Sequence, residues 1–301
     1  MTSINALTFN KKKGPQIWTG DEAVSGRERQ SPTYSEKIQQ VGELPYCVGA
    51  SGSIPIITKT MDTVYDFLDK SKPSCGREIE AEVKEARHQV YDETTKDIIR
   101  SFSVGWEEFK RGEIKEDLLR RKIHDYLDNF NKDSYTVFLC GGKLSDDDEF
   151  RLSVVGDVEF PGRQQYSIGT GSDISQIIFN NYFEKMKSEE RKDIPLTLGV
   201  RMTIDAANAA RGNLGVGGTG QIFYVDEGNI RELKSDEVRM VRNLVFDEKR
   251  GLVKKETVDD AITGIFNKTK QVEDILKVLE SQVDNKQLLR EHYTGRLQSF
   301  L

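Results

Sequence analysis

Cysteine is scarce in this chain of 301 residues: there are three, Cys47, Cys75 and Cys140, far apart in the sequence. That excludes a disulfide framework or a CxxC metal site and fits a reducing compartment. Histidine is equally scarce, and none of the three stands at ligand spacing from another or from a cysteine. The basic residues are not collected in one block either. The 44 Lys and Arg are interleaved with 50 Asp and Glu, for a net charge of -6 and a pI near 5.4. This balance excludes nucleic acid as the expected partner. No apolar run approaches the roughly 18 residues of a spanning helix. Residues 1–13 carry no apolar core of a signal peptide. The expectation is a soluble, cytoplasmic protein with no membrane partner.

The chain does carry a regular order of element signals. Strands are expected at 3–9 and 16–20, joined by a turn where Gly14 and Pro15 punctuate a lysine run, and again at 37–41 and 46–50. Ser53 is placed to cap a helix with Pro55 in its first turn, and Ile54, Ile57, Met61, Val64, Phe67 and Leu68 follow three-and-four spacing. A second helix is expected at 77–103. The charged segment 106–131 reads as an extra hairpin or a prolonged helix. Further strands are expected at 135–140, 150–155, 165–168, 220–225 and 229–232. Helices are expected at 172–189 and 196–210, and almost throughout the chain after 234. Strict β-α alternation is absent, so two packed sheets with paired outer helices fit better than a doubly wound parallel sheet.

Thr2 is the most informative residue. Once Met1 is removed, it would carry a hydroxyl nucleophile and an α-amine base on one amino acid. Asp21 alone is an ordinary turn residue, and Lys37 alone an ordinary solvated lysine; the signal lies in their combination, sixteen residues apart. The Gly-rich run 215–220 precedes a strand and lacks a following Lys-Ser/Thr, so it is not a phosphate loop. Cys47 is expected to be a buried strand residue, with His88 and His124 on helix surfaces. The acidic run 146–149 lacks calcium-loop spacing.

Residues 2–53 resemble the N-terminal part of proteasome β-type subunits and of the related peptidase in a bacterial two-component ATP-dependent protease. In that family a terminal Thr opens the first strand and an Asp closes the second. A Lys follows about sixteen residues later, and a Gly-rich segment opens the first helix. Here these positions are Thr2, Asp21, Lys37 and Ser51-Gly52-Ser53. Later, Tyr166-Ser167-Ile168-Gly169-Thr170-Gly171-Ser172 resembles the segment before the family's third helix, and Gly217-Gly218 its late double glycine. The resemblance covers about 2–105 and 133–232.

The resemblance implies an α+β fold, the four-layer αββα sandwich of the proteasome-like N-terminal nucleophile (Ntn) hydrolases, with additional helices. It implies a domain at 1–234 with a helical insertion near 106–131, and a helical extension at 235–301. It further implies a threonine-type endopeptidase that acts on peptide or unfolded protein through an acyl-enzyme on Thr2. Lys37 would depress the amine pKa and stabilise the developing oxyanion, and Asp21 would hold Lys37. Gly52 N–H would be the oxyanion donor. Ala50 and Ser51 would contact substrate, and Thr170 and Asn213 would support the site. Many β-subunits carry an Asp and a Ser where this chain has Asn213 and Val216, so the amine would lose a carboxylate neighbour. No metal or cofactor is implied. A homo-oligomeric ring and an ATPase or regulatory partner are. The alternatives are a catalytically inactive structural or assembly subunit of the same fold, and a narrow-specificity amidohydrolase or ligase with the same N-terminal chemistry.

Overall fold

A computed structural model of the protein describes residues 3–10, 14–21, 37–145, 149–157, 160–161, 163–211, 220–282 and 286–294. Two five-stranded antiparallel sheets stack within it. The first contains β1 (Ile4–Thr8), β2 (Gln16–Gly20), β8 (Gln165–Ile168), β9 (Gln221–Asp226) and β10 (Asn229–Glu232), in the order β10-β9-β2-β1-β8. The second contains β3 (Ile38–Gln40), β4 (Tyr46–Gly52), β5 (Thr136–Gly142), β6 (Arg151–Val155) and β7 (Phe160–Pro161), in that order.

The layers follow from the period-two alternation of side chains along each strand. On β1, β2 and β9, Ile4, Ala6, Trp18, Phe223 and Val225 face the gap between the sheets. There they meet Cys47, Leu139 and Leu152 from the second sheet. The intervening residues Leu7, Ile17 and Ile222 face outward, against α5 (Ser172–Lys185) and α7 (Leu196–Ala210). On the second sheet, Val48, Phe138 and Cys140 face outward against α1 (Ile54–Ser71) and α2 (Gly76–Ser101), through Met61, Val64, Ile79 and Val83. Helices, sheet, sheet, helices is therefore the order of layers, as the sequence implied. Cys47 is buried in the gap, and His88 and His124 are exposed on helices.

Several local expectations are corrected. Ser53 occupies the cap position of α1, but its side chain makes no capping hydrogen bond. The segment 106–131 is two helices, α3 (Trp106–Lys110) and α4 (Asp117–Asp133). They close over a small core of Ile99, Val104, Ile114 and Ile123. The helix expected at 172–189 stops at Lys185, because Glu190 of the short α6 (Ser188–Lys192) accepts the Lys187 N–H at 2.8 Å and starts a new turn. The two-residue β7 carries no sequence signal. The acidic run 146–148 lies outside the described residues.

Beyond Lys234 come α8 (Ser235–Lys249), α9 (Lys255–Phe266), α10 (Val272–Glu280) and α11 (Lys286–Thr294). Val241, Leu244, Ile262, Ile265 and Leu276 from these helices share one apolar cluster with Leu7, Ile17 and Met202. Arg201 on α7 is clasped by Glu248 of α8 at 2.7 Å and Asp259 of α9 at 2.5 Å.

Candidate active site

The site assembles at one end of the two sheets, where β1 begins and β2 ends. Asp21 is 6% exposed. It exchanges two hydrogen bonds with Ser3: the Ser3 N–H donates to Asp21 Oδ1 at 2.7 Å, and the Asp21 N–H donates to the Ser3 carbonyl at 3.1 Å. The residue next to Thr2 is thereby fixed to the end of β2. Burial pushes the Asp21 carboxyl pKa above its ordinary 3.8; the Ser3 N–H and the charge of Lys37 pull the other way. Burial wins because Asp21 Oδ2 accepts no hydrogen bond among the described residues, so half the carboxylate lacks compensation.

Lys37 stands immediately before β3 and is 9% exposed. Burial lowers its ammonium pKa below the ordinary 10.5, and the carboxylate of Asp21 opposes this. The structure thus brings the two residues into one electrostatic neighbourhood. A partly desolvated lysine there is a strong source of positive potential for a nearby amine or oxyanion.

Gly52 ends β4 with φ +128°, and a Cβ there would lie 2.0 Å from the Tyr135 carbonyl oxygen. Only glycine fits this position. Ala50 and Ser51 precede it, both half-buried. Lys37, Ala50, Gly52, Ile57, Met61 and Asp62 line a cavity of about 430 Å³ running along the start of α1. Its walls are largely apolar, with the cationic Lys37 and the acidic Asp62 as its charged members.

Thr170 is exposed on the turn after β8. Its neighbour Gly171 packs against the chain start: a Cβ there would stand 2.8 Å from Ala210 Cβ and 3.0 Å from Ser3 Cβ. Thr2, Asn213, Val216 and the double glycine 217–218 lie outside the described residues. The flanks of that segment, Arg211 and Gly220, border a small cavity of about 20 Å³ together with Ser3 and Asp21.

Sequence reasoning missed two residues here. Gln221 reaches from β9 across the gap between the sheets, and its Oε1 accepts the Lys37 N–H at 2.9 Å. Arg242 of α8 lines the small cavity, and one of its Nη2 hydrogens goes to Asn208 Oδ1 at 2.9 Å. A signal for Gln221 exists in retrospect. It is the one polar residue in an inward register whose other members are Phe223 and Val225. Arg242 sits inside an ordinary amphipathic pattern and leaves no such mark.

Stacked antiparallel sheets between helical layers define the fold as a four-layer αββα sandwich of proteasome-like type. Solved structures bear this out. The chain is similar to an Anbu (Gly-1) mutant from Hyphomicrobium sp. strain MC1, with 14% identity, TM-score 0.55, and 85% of this chain and 97% of that one covered. It is also similar to Anbu, described as an ancestral beta-subunit, from Yersinia bercovieri, with 11% identity, TM-score 0.57, and coverage of 83% and 95%. The same figures hold for the Anbu complex from Pseudomonas aeruginosa, described as a helical assembly. No family model and no curated protein matches the chain.

These neighbours correct the family assignment that the sequence resemblance implied. They have a proteasome-like fold but form a family distinct from the proteasome β-type threonine peptidases. The physical reason is that the motifs used, glycines at forced backbone positions and the Asp21-to-Lys37 spacing, report the geometry of the fold. The Anbu proteins share that fold with this chain at identities of only 11–14%.

Proposed function

We propose that this chain, once Met1 is removed, is a self-assembling hydrolase that cleaves peptide bonds through the Thr2 hydroxyl. The observation that carries the reading is a chain of contacts: Asp21 holds Ser3 before β1 and faces Lys37 electrostatically, and Lys37 and Gly52 line one cavity large enough for a substrate side chain. The α-amine of Thr2 takes the hydroxyl proton, and Oγ attacks the scissile carbonyl carbon. The Gly52 N–H and the Lys37 ammonium stabilise the oxyanion that forms. The C–N bond then breaks, the amine proton passes to the departing amine, and an ester on Thr2 remains. Water hydrolyses that ester and returns the proton to the hydroxyl. Ala50 and Ser51 line the substrate path, and Thr170 and Asn213 support the terminal residue. The domain 1–234 carries the chemistry, and the helices from 235 onward form part of its outer layer.

Self-association is carried over from the Anbu complex described as a helical assembly. It takes the form of a helix or a ring of identical chains. Electron microscopy of the purified chain tests it, and a monodisperse monomer at micromolar concentration would overturn it. For the chemistry, intact mass establishes whether Met1 is absent. The processed chain is expected to cleave small acyl-peptide reporters, with turnover abolished in Thr2→Ala; equal turnover by that variant would remove Thr2 from the mechanism.

A second reading, a catalytically silent assembly subunit, is favoured by one residue. In the sequence resemblance to proteasome β-type subunits Asn213 falls at a carboxylate position, and an amide would orient an α-amine less strongly. Retention of Met1 in native material would decide for this reading.

A further inference from the structure

Lys37 opens an edge strand. β3 is three residues long and, among the described residues, pairs only with β4. On the β4 side, the Lys37 carbonyl accepts the Ala50 N–H at 3.0 Å. The acceptor for its own N–H comes from the other sheet. Gln221, 7% exposed, extends its side chain so that Oε1 takes the N–H of Lys37 at 2.9 Å and that of Ile38 at 3.3 Å. The Nε2 of the same amide donates to Glu232 Oε1 at 3.3 Å.

This arrangement fixes which way the amide points. Two N–H donors on one side require the oxygen there, and a carboxylate on the other side requires the NH₂. Gln221 pairs in register with Gly20, the residue before Asp21. One side chain thus ties the backbone of Lys37 to the strand partner of the segment carrying Asp21. We propose that Gln221 is a positioning residue that sets Lys37 against Asp21, with Glu232 locking its amide in the required orientation. The proposal rests on the reading of Lys37 as part of the hydrolytic site. It adds a residue that touches neither substrate nor nucleophile.

If Gln221 is truncated, two buried N–H groups lose their acceptor and the start of β3 must move to find water. The ammonium then leaves its desolvated position and its neighbour Asp21. The test uses the full chain labelled with ¹³Cε-lysine, with Lys37→Arg assigning the resonance, and follows the Lys37 titration by NMR. Wild-type Lys37 is expected to titrate below an ordinary lysine, and Gln221→Leu to move it back towards the ordinary value. Gln221→Glu places two carboxylates face to face and is expected to perturb the titration as well. The double exchange Gln221→Glu with Glu232→Gln restores both acceptors and the donor, so it is expected to recover the wild-type titration.

Reporter turnover in the same set gives a second readout: kcat is expected to fall at least about tenfold in Gln221→Leu with KM little changed, and to recover in the double exchange. An unmoved Lys37 titration in a folded Gln221→Leu chain would overturn the proposal. So would failure of the double exchange to recover it, which covers the case in which Gln221→Leu does not fold. If the wild-type chain turns over no reporter at all, the hydrolase reading fails, while the titration still decides whether Gln221 positions Lys37.

Discussion

The Asp21 carboxylate holds Ser3 from the side-chain direction, and the Ser3 carbonyl holds Asp21 from the main-chain direction, at 2.7 Å and 3.1 Å. Together these bonds fix the chain direction at the residue before β1. The same carboxylate is buried, and its Oδ2 accepts no hydrogen bond among the described residues, so its ionised form is less favourable in the folded chain than in the unfolded one.

The sign of the resulting pH dependence follows from the raised pKa. Between 3.8 and the higher folded value, the native state binds more protons than the unfolded state, so this group makes stability fall as pH rises through that window. Asp21→Asn keeps an acceptor for the Ser3 N–H and removes the titration. Urea unfolding across pH 4 to 7 is expected to show a shallower decline for the variant than for the wild type. Parallel curves would contradict the burial argument. Reporter turnover is expected to fall about a hundredfold or more.

Gly52 admits no side chain. Gly52→Ala places a methyl 2.0 Å from the Tyr135 carbonyl at φ +128°, so the strand end must shift. Destabilisation of at least about 2 kcal/mol is expected by chemical denaturation, with activity lost. A stable and active alanine variant would mean that the strand end is more compliant than the structure indicates.

Ala50 offers the opposite case, a small residue facing the cavity of about 430 Å³. Ala50→Phe is expected to change stability by less than about 1.5 kcal/mol. It should also raise KM for reporters with bulky side chains beside the scissile bond, while small ones are spared. A uniform loss across reporters would place substrate elsewhere.

The outer helices depend on Arg201, which satisfies Glu248 and Asp259 while largely buried. Arg201→Met leaves two carboxylates facing each other without a cation. A loss of about 3 kcal/mol is expected in thermal or urea unfolding. Recovery on adding Glu248→Gln and Asp259→Asn would assign the loss to the stranded charges rather than to packing.

What was legible in the sequence was local. Period-two and three-and-four spacing placed most strands and helices, because each strand shows one face to the inter-sheet gap and the other to helices. Gly52 was legible because its backbone, at φ +128° and against the Tyr135 carbonyl, leaves room for glycine alone. The family was not, since the fold is shared with Anbu proteins at identities of only 11–14%, too low for local motifs to tell one family from another. Gln221 was not either: its partner Lys37 lies 184 residues away in the chain, and only the stacking of the sheets joins them. The break of 106–131 into two helices was also hidden: Leu119, Ile123 and Leu127 recur every four residues along α4, but that stripe does not say where the preceding helix ends.

The helical excursion between α2 and β5 returns to the sheet at Tyr135. The carbonyl of Tyr135 accepts the Ser53 N–H at 3.2 Å and also limits what can stand at Gly52. With a core of its own, the body of the excursion is free to lengthen, shorten or be replaced over generations. Its last residue has no such freedom. The graft is loose in its scion and fixed at its union, and the union lies beside the glycine on which the proposed chemistry depends.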